Sequence, residues 1–179
     1  MNRFIAGVAA IGLALSVIVH GASLLGVDVP TSFPLVWGLH VGIFIVFVPA
    51  IISARKRFGA RPTLADFRMA FPTWVQVFTI SLVVYTVLNF YFSLLGISGN
   101  PAIKAGQYVL ENHGRVVRSL SAAEFTSLRA RVTRGFSGHW MLFYFLALAY
   151  FAFCRDRVGL DGRALDKVIS ADSRDKPLG

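Results

Sequence analysis

The fold of this chain is decided by a stretch without Asp, Glu, Lys or Arg, WVQVFTISLVVYTVLNFYFSLL, which runs from Trp74 to Leu95. A helix that crosses the hydrocarbon core of a bilayer needs about 20 mostly apolar residues, and this stretch has that length. Three further stretches share the same character: Phe4–Leu25, Pro34–Ala54 and Phe136–Cys154. The sequence therefore predicts an all-α membrane protein built as a bundle of four transmembrane helices.

The composition agrees with a membrane protein. The chain is 55% hydrophobic and 15% charged, with a mean hydropathy of +0.63, whereas soluble domains carry about 25% charged residues. The formal net charge of +9 is then explained by lipid headgroups and by basic cytoplasmic loops, so nucleic acid is not an expected partner.

Motifs of soluble enzymes are missing from the sequence. It has no phosphate-binding loop, dinucleotide-binding glycine pattern, nucleophile elbow or zinc-protease helix. The segment GFSGH places Ser137 close to His139, but a serine at that position is better explained as the cap of the fourth helix. The lone Cys154 excludes an intramolecular disulfide and a multi-cysteine metal site. We therefore predict no catalytic residue.

Orientation follows from the distribution of basic residues. Lys and Arg are enriched in cytoplasmic loops, and the loop after the second span carries Arg55, Lys56, Arg57, Arg61 and Arg68. The first connection, GVDVPTSFP, has none and is predicted to lie outside. Both termini are then cytoplasmic, with residues 1–160 forming the membrane domain and residues 161–179 a short, partly disordered tail. Three arginines before the fourth span disagree with this orientation: Arg129, Arg131 and Arg134.

Residues 96–135 form the one long connection, on the predicted outer side. Gly96, Gly99, Asn100 and Pro101 are typical of turns. The runs QYVLEN and RVVRSL flank His113–Gly114, a pattern that predicts a β-hairpin. Ser121 and Glu124 then match a capping box that opens a helix. We expect this helix to be amphipathic and to lie at the headgroup level with its arginines toward phosphates, so that hairpin and helix form a lid over the helix ends.

The histidines are predicted to lie at one level. At a rise of about 1.5 Å per residue, His20 and His40 lie roughly 7–9 Å inside the outer boundary. His139 lies three residues into the fourth span, and His113 lies at the hairpin tip. Imidazole suits Zn, Cu and Fe, and histidines on facing helices can hold a haem. The candidate cofactor is therefore a metal ion or haem, with His20, His40, His139 and His113 as candidate ligands.

A hydrogen-bonded network is the alternative interpretation of these polar residues. Ser81, Tyr85, Asn89 and Ser93 recur every four residues along the third span, and Gly12, Ser16 and His20 do so along the first. Polar side chains inside a bilayer face the protein interior, where they bond across helices. The predicted polar cluster comprises Asn89, Tyr85, Ser81 and Ser16.

Two segments carry a resemblance to a group of proteins. Tyr108, Leu110, Asn112, His113 and Gly114 form a Tyr-x-Leu-x-Asn-His-Gly pattern, and Ser137, Gly138, His139 and Trp140 follow at the start of the last span. The pair resembles an uncharacterised family of small four-span bacterial inner-membrane proteins. The resemblance implies a bacterial inner-membrane setting and no particular activity.

The sequence predicts location better than role. The leading hypothesis is an integral membrane accessory or scaffold protein, with membrane lipids and a membrane-protein partner or a second copy as partners. The second is a metal- or haem-binding membrane protein that uses the polar cluster. Small-molecule transport ranks last, because the cytoplasmic halves of the spans are almost wholly apolar.

Overall fold

A computed structural model describes residues 2–95 and 98–154. Its elements, in chain order, are α1 (Asn2–Leu24), α2 (Val29–Ser32), a 3₁₀ helix (Pro34–Trp37), α3 (Gly38–Phe58), α4 (Leu64–Ala70), α5 (Thr73–Leu94), β1 (Asn100–Lys104), β2 (Gln107–Asn112), β3 (Arg115–Ser119) and α6 (Ala122–Phe153). The predicted tail, residues 161–179, lies outside the described residues.

Four helical segments among the described residues are long and apolar enough to cross a membrane, which agrees with the predicted number of candidate spans. They are α1, the 3₁₀ helix continued by α3, α5 and α6. The second extends beyond its predicted end at Ala54, because α3 continues to Phe58. Its last turn contains Arg55, Lys56 and Arg57, and positive charge at a helix C-terminus is favoured by the helix dipole.

Helix α6 differs from the prediction because it is one continuous helix of 32 residues. The expected amphipathic helix and the fourth span are its two parts, so the predicted amphipathic helix is not a separate element. The capping box is confirmed at its start, where Ser121 N donates to Glu124 Oε2 at 2.8 Å and Glu124 N donates to Ser121 Oγ at 3.2 Å. Ser137 lies inside the helix and caps nothing. No proline interrupts residues 122–153, and at about 1.5 Å per residue the helix exceeds the roughly 30 Å hydrocarbon core.

The other helices pack on α6. Contacts join α6 to α1, α3 and α5, and the main apolar core contains Trp140, Tyr144 and Ala147 of α6 with Ala9 and Val46. Tyr144 crosses between α1 and α3, where a side chain on Gly12 or Gly42 would overlap it. Its hydroxyl donates to the carbonyl of Leu39 at 2.8 Å. Two glycines therefore let one tyrosine join three helices.

The insert contains a three-stranded antiparallel sheet in the order β1-β2-β3. The predicted turn at His113–Gly114 is confirmed, with φ of 47° and 84°. A second two-residue turn of the same form, Ala105–Gly106, has φ of 48° and 77°. Two consecutive positive φ values characterise the type I′ turn, whose twist matches paired strands. The first strand was missed because Asn100 and Pro101, expected in a turn, begin β1.

The sheet packs against the start of α6 through one aromatic side chain. Phe125 is buried with Leu110 and Leu120, and the Tyr108 ring stacks on it with centroids 4.5 Å apart. A small sheet is marginal in water by itself, so this contact supplies the apolar partner that it needs. The first turns of α6 therefore serve as the platform of the sheet.

Two short helices complete the connections. Asp28 caps α2, where its side chain accepts from Thr31 N. Thr63 caps α4, and its capping box is completed by Asp66. Both caps satisfy backbone N–H groups that a helix start leaves without partners.

Replacing Gly12 by Ala tests the contact with Tyr144. The added methyl group would overlap the tyrosine ring, and overpacking of this kind costs about 1–3 kcal/mol. The matched control is Gly7→Ala on the same helix, where the methyl group meets nothing within 4 Å. Thermal unfolding in detergent should show a lower midpoint for Gly12→Ala only; equal midpoints would contradict the contact.

Candidate functional site

His20 lies where α1, α5 and α6 meet. It is 5% exposed, its Nδ1 lies 2.8 Å from Ser137 Oγ and its Nε2 lies 2.5 Å from the Tyr85 hydroxyl. The Ser137 hydroxyl donates its proton to the carbonyl of Arg134 at 3.1 Å. Since a serine has one hydroxyl proton, Nδ1 of His20 donates to Ser137 and Nε2 accepts from Tyr85. Both imidazole nitrogens are therefore engaged.

Asn89 extends these contacts along α5. Its Nδ2 donates to the Arg134 carbonyl at 2.9 Å, and its Oδ1 accepts from Ser93 Oγ at 3.4 Å. Arg134 Nε donates in turn to Ser93 Oγ at 3.0 Å. The close approach of the Asn89 side chain to α6 depends on Gly138, because a Cβ at that position would lie 2.7 Å from Asn89 Nδ2.

We call this set the polar network: His20, Tyr85, Asn89, Ser93, Arg134 and Ser137. One more α5 side chain joins α6 beside it, because Thr86 Oγ1 donates to the Gly138 carbonyl at 3.2 Å. Among residues 2–95 and 98–154, Thr79 Oγ1 is the buried side-chain atom without a hydrogen-bond partner. The polar network itself is satisfied by groups of the same chain, as buried polar groups in an apolar medium require.

The predicted polar cluster is partly brought together. Asn89 and Tyr85 belong to the network, whereas Ser81 is exposed on the outside of α5. Ser16 is buried but bonds within its own helix, to the Gly12 carbonyl at 2.7 Å. A four-residue spacing advances about 40° per step around a helix with 3.6 residues per turn. Ser81 and Ser93 therefore lie roughly 120° apart around the helix axis. The four-residue spacing suggested a single face because the rotation accumulates over three steps.

Arg129 and Arg131 were expected to face lipid phosphates, whereas the structure gives each of the three arginines before the fourth span a partner in the chain. Arg131 Nη2 donates to the Leu95 carbonyl at 2.8 Å, where the end of α5 leaves carbonyls without helical partners. Arg134 bonds to Ser93. Arg129 Nε lies 3.1 Å from Asp28 Oδ2. These cations have a structural explanation that needs no membrane phosphate.

The ion pair between Arg129 and Asp28 joins the first connection to α6. The Asp28 side chain is 8% exposed and that of Arg129 is 29% exposed, so the pair is better shielded from water than an ordinary surface pair. The Thr31 hydroxyl also donates to Asp28 Oδ2 at 2.5 Å. Asp28, which the sequence analysis did not single out, therefore combines a helix cap with a contact between the first connection and α6.

His40 lies away from the polar network, on the exposed side of α3. The Trp140 indole N–H donates to its Nδ1 at 3.1 Å, and the Phe136 ring lies edge-on with centroids 6.1 Å apart. Because indole only donates, Nδ1 of His40 is unprotonated and the neutral ring carries its proton on Nε2.

His139 has the opposite tautomer. Its Nδ1 lies 3.0 Å from the Gly135 carbonyl, which only accepts, so Nδ1 carries the proton. Its Nε2 is then a lone pair in the neutral ring. The Phe90 ring lies edge-on at 4.7 Å, and the imidazole lines a groove of about 520 Å³ with apolar residues of α5.

The four histidines do not form the predicted common ligand set. Within residues 2–95 and 98–154, which include all four, no group of three His, Cys, Asp or Glu side chains is placed to hold a metal ion. His113 is exposed at the β2–β3 turn, and His20 uses both nitrogens. The level of each residue follows from counting along a helix, but the direction of its side chain depends on how the helices rotate against each other.

Comparison of the chain with protein-family models, curated proteins and solved structures gives no match. The family resemblance therefore stays a prediction. The structure does give its residues physical roles: Leu110 packs on α6, His113 and Gly114 make the turn, and Ser137 and Gly138 lie against His20 and Asn89.

Some members of this site carried a sequence signal and others did not. Gly135, Ser137 and Gly138 are small residues on one turn, which is typical of close helix contacts in membranes. Asp28 and Arg129 are separated by 101 positions, and nothing local connects them. The available sequence signal was that Asp28 is the single charged residue of the first connection, GVDVPTSFP.

Asn89→Leu tests the polar network against the predicted four-residue pattern. Leucine keeps the approximate volume but leaves the Arg134 carbonyl without its amide donor, at a cost of about 1–2 kcal/mol. Ser81→Leu is the control on the same helix and should change little, because its side chain faces outward. Unfolding in detergent micelles measures both, and similar losses would reject the assigned face of α5.

Arg129→Ala tests the ion pair. It leaves the shielded Asp28 carboxylate without its cation, for which we expect a loss of about 1–3 kcal/mol in the free energy of unfolding. Arg118→Ala is the control, because its pair with Glu124 at 2.9 Å has side chains 50% and 47% exposed and should contribute little in water.

Adding Asp28→Asn to Arg129→Ala should recover part of the lost stability, because it removes the unpaired charge. A loss from Arg129→Ala no larger than that from Arg118→Ala, with no recovery in the double variant, would show that the pair contributes nothing.

Proposed function

We propose that this chain is an integral membrane accessory or scaffold protein of a bacterial inner membrane, with both termini in the cytoplasm. In this role, α6 holds the other helices together and carries the sheet on the outer side. A membrane-protein partner or a second copy of the chain would bind that sheet.

The orientation is supported by the basic loop after α3 and by the partners of the outer arginines. Arg129, Arg131 and Arg134 are bonded within the chain, so their presence does not weigh against the charge rule. A membrane-impermeant thiol reagent should label His113→Cys in intact cells but Arg61→Cys only after permeabilisation, both in a Cys154→Ser background. The reverse labelling would overturn this orientation.

The observation that carries the proposal is the internal satisfaction of the polar network. Intramembrane polar residues that serve transport or chemistry face a cavity or a substrate path. Here both nitrogens of His20 and the Asn89 amide bind groups of the same chain. A polar network whose groups bind other groups of the same chain supports a structural role.

The sheet supplies the surface for a partner. β3 is an edge strand in the order β1-β2-β3, and Val116 and Val117 are each 52% exposed on it. Val117 is the extra residue of a β-bulge, because Leu110 pairs with Arg118 and Glu111 with Val116. The two valines present apolar surface beside the open backbone groups of the edge. Edge strands of this kind pair readily with a strand of another chain.

Purification after cross-linking in membranes tests the partner proposal. Wild type should retain one stoichiometric partner or form a defined oligomer, and Val116→Lys/Val117→Lys should lose it. Arg115→Lys/Arg118→Lys in the same strand keeps the charge and should behave as wild type. A monomeric wild type without a partner, or equal retention by all three proteins, would contradict the proposal.

His139 supports a second candidate function, the binding of a haem or a metal ion. A histidine whose Nδ1–H is fixed on a backbone carbonyl and whose Nε2 is open has the arrangement found in metal-ligating imidazoles. The adjoining groove contains Phe90, Tyr91 and Leu94, an apolar wall suited to a porphyrin.

Visible absorption and metal analysis of purified protein test the second candidate. We expect a Soret band or stoichiometric metal that is lost in His139→Ala and retained in His113→Ala, whose side chain is exposed at the turn. A spectrum without such a band and a sample without stoichiometric metal would reject it.

A further inference from the structure

A second groove lies between α3, α4 and α6, at the end of the helices opposite the sheet-bearing start of α6. Its volume is about 220 Å³, and its walls are almost wholly apolar. Phe47, Ala54 and Phe58 of α3 lie on one side, and Phe67, Phe71 and Leu146 lie on the others. Thr63 and Asp66 are the two polar residues of α4 and its cap that also line it. Such a groove takes a hydrocarbon occupant, because it has few polar groups to recognise anything else.

The length of the groove matches one lipid chain. From Phe47 to Phe58, α3 rises about 16 Å at 1.5 Å per residue. Half the thickness of a roughly 30 Å hydrocarbon core is about 15 Å. The groove therefore extends from the helix end to about the middle of the bilayer, which is the span of an acyl chain in one leaflet.

Helix α4 is fixed as a wall of this groove. Gln76 Nε2 of α5 donates to the carbonyls of Arg68 at 3.0 Å and Phe71 at 2.8 Å, which holds the end of α4. Its start is closed by the Thr63–Asp66 capping box. The groove is thus shaped by hydrogen bonds at both ends of α4, rather than by chance contact of loose segments.

Exposed basic residues adjoin the lining residues of the groove along the chain. Arg61 precedes Pro62, and Arg68 follows Phe67, two residues that line it; both arginines are exposed. Arg55 and Lys56 are exposed in the last turn of α3. Asp66 is the single acid between positions 55 and 71, and its carboxylate accepts from Thr63. The mouth therefore has the charge that favours an anionic headgroup.

We infer that this groove binds one acyl chain of an anionic phospholipid, whose phosphate lies at Arg61 and Arg68. The apolar wall selects the chain and the arginines select the headgroup. The inference is independent of the partner proposed for the sheet. It assigns a lipid site beside residues 55–71, a segment with five basic residues and one acid.

The test uses the full chain in nanodiscs that contain phosphatidylglycerol and phosphatidylethanolamine in equal amounts. Native mass spectrometry after transfer to detergent counts the lipids that stay bound. Wild type should retain one phosphatidylglycerol. Ala54→Trp, which fills the groove, should lose it, whereas Val48→Trp, on an exposed position of α3 outside the groove, should keep it.

Headgroup selection is tested separately, in proteins whose groove is unchanged. Arg61→Ala/Arg68→Ala should lower the preference for phosphatidylglycerol by about fivefold per arginine. The control Arg115→Ala/Arg118→Ala removes the same charge from the sheet and should keep the preference. Because these variants leave the interior intact, this arm remains decisive if Ala54→Trp unfolds.

Three results would overturn the inference. They are equal lipid retention by Ala54→Trp and Val48→Trp when both are folded, no headgroup preference in wild type, and an equal effect of the two arginine pairs. A second copy of the chain over the groove would appear as a dimer that is lost in Ala54→Trp, and would also reject a lipid occupant.

Discussion

The close approach of α5 to the Gly135–Gly138 turn of α6 is the constraint on which the polar network depends. A Cβ on Gly138 would meet the Asn89 amide, and one on Gly135 would lie 3.3 Å from Ser93 Cβ. Without side chains at these two positions, the Asn89 amide reaches the backbone of α6 and donates to the Arg134 carbonyl. Inside a bilayer there is no water to replace that partner. The small residues of α6 therefore let polar side chains of α5 reach the backbone of α6. Without that approach, the buried polar groups of α5 would lack hydrogen-bond partners.

The length of α6 links this contact to the sheet. Its inner part carries Trp140 and Tyr144 into the apolar core, and its outer part carries Phe125 under the sheet. Between them, three arginines reach sideways to the end of α5 and to the first connection. Arginine suits this place, because its fork of donors can satisfy the carbonyls and the carboxylate that helix ends and connections leave there. One helix thus positions all the elements that face the predicted outer side.

The sequence was informative where the signal is local. Absence of charge over about 20 residues marked four candidate spans, His113–Gly114 marked a hairpin turn, and Ser121 with Glu124 marked a helix start. It failed where the answer depends on rotation or on distant partners. Ser81 fits a four-spaced seam with Asn89 but faces outward, and the histidines share a predicted level without sharing a direction. Asp28 and Arg129 meet only because the first connection packs against the outer part of α6. Ser137 was expected to cap the fourth helix, whereas in the structure it lies with Gly135 and Gly138 on a contact surface inside a continuous helix.

A disulfide cross-link between α5 and α6 is the most direct test of this account. The Cβ positions of Ser93 and Gly135 lie 3.3 Å apart, close to the separation of about 3.5–4.5 Å in disulfides. In a Cys154→Ser background, Ser93→Cys/Gly135→Cys should cross-link in membranes on mild oxidation. The control pair, Phe92→Cys/Gly135→Cys, lies at the same depth, but Phe92 is on an exposed face of α5. This pair should therefore not cross-link. Equal cross-linking of the two pairs, or cross-linking of the Phe92 pair alone, would contradict the arrangement of α5 on α6 from which the polar network follows.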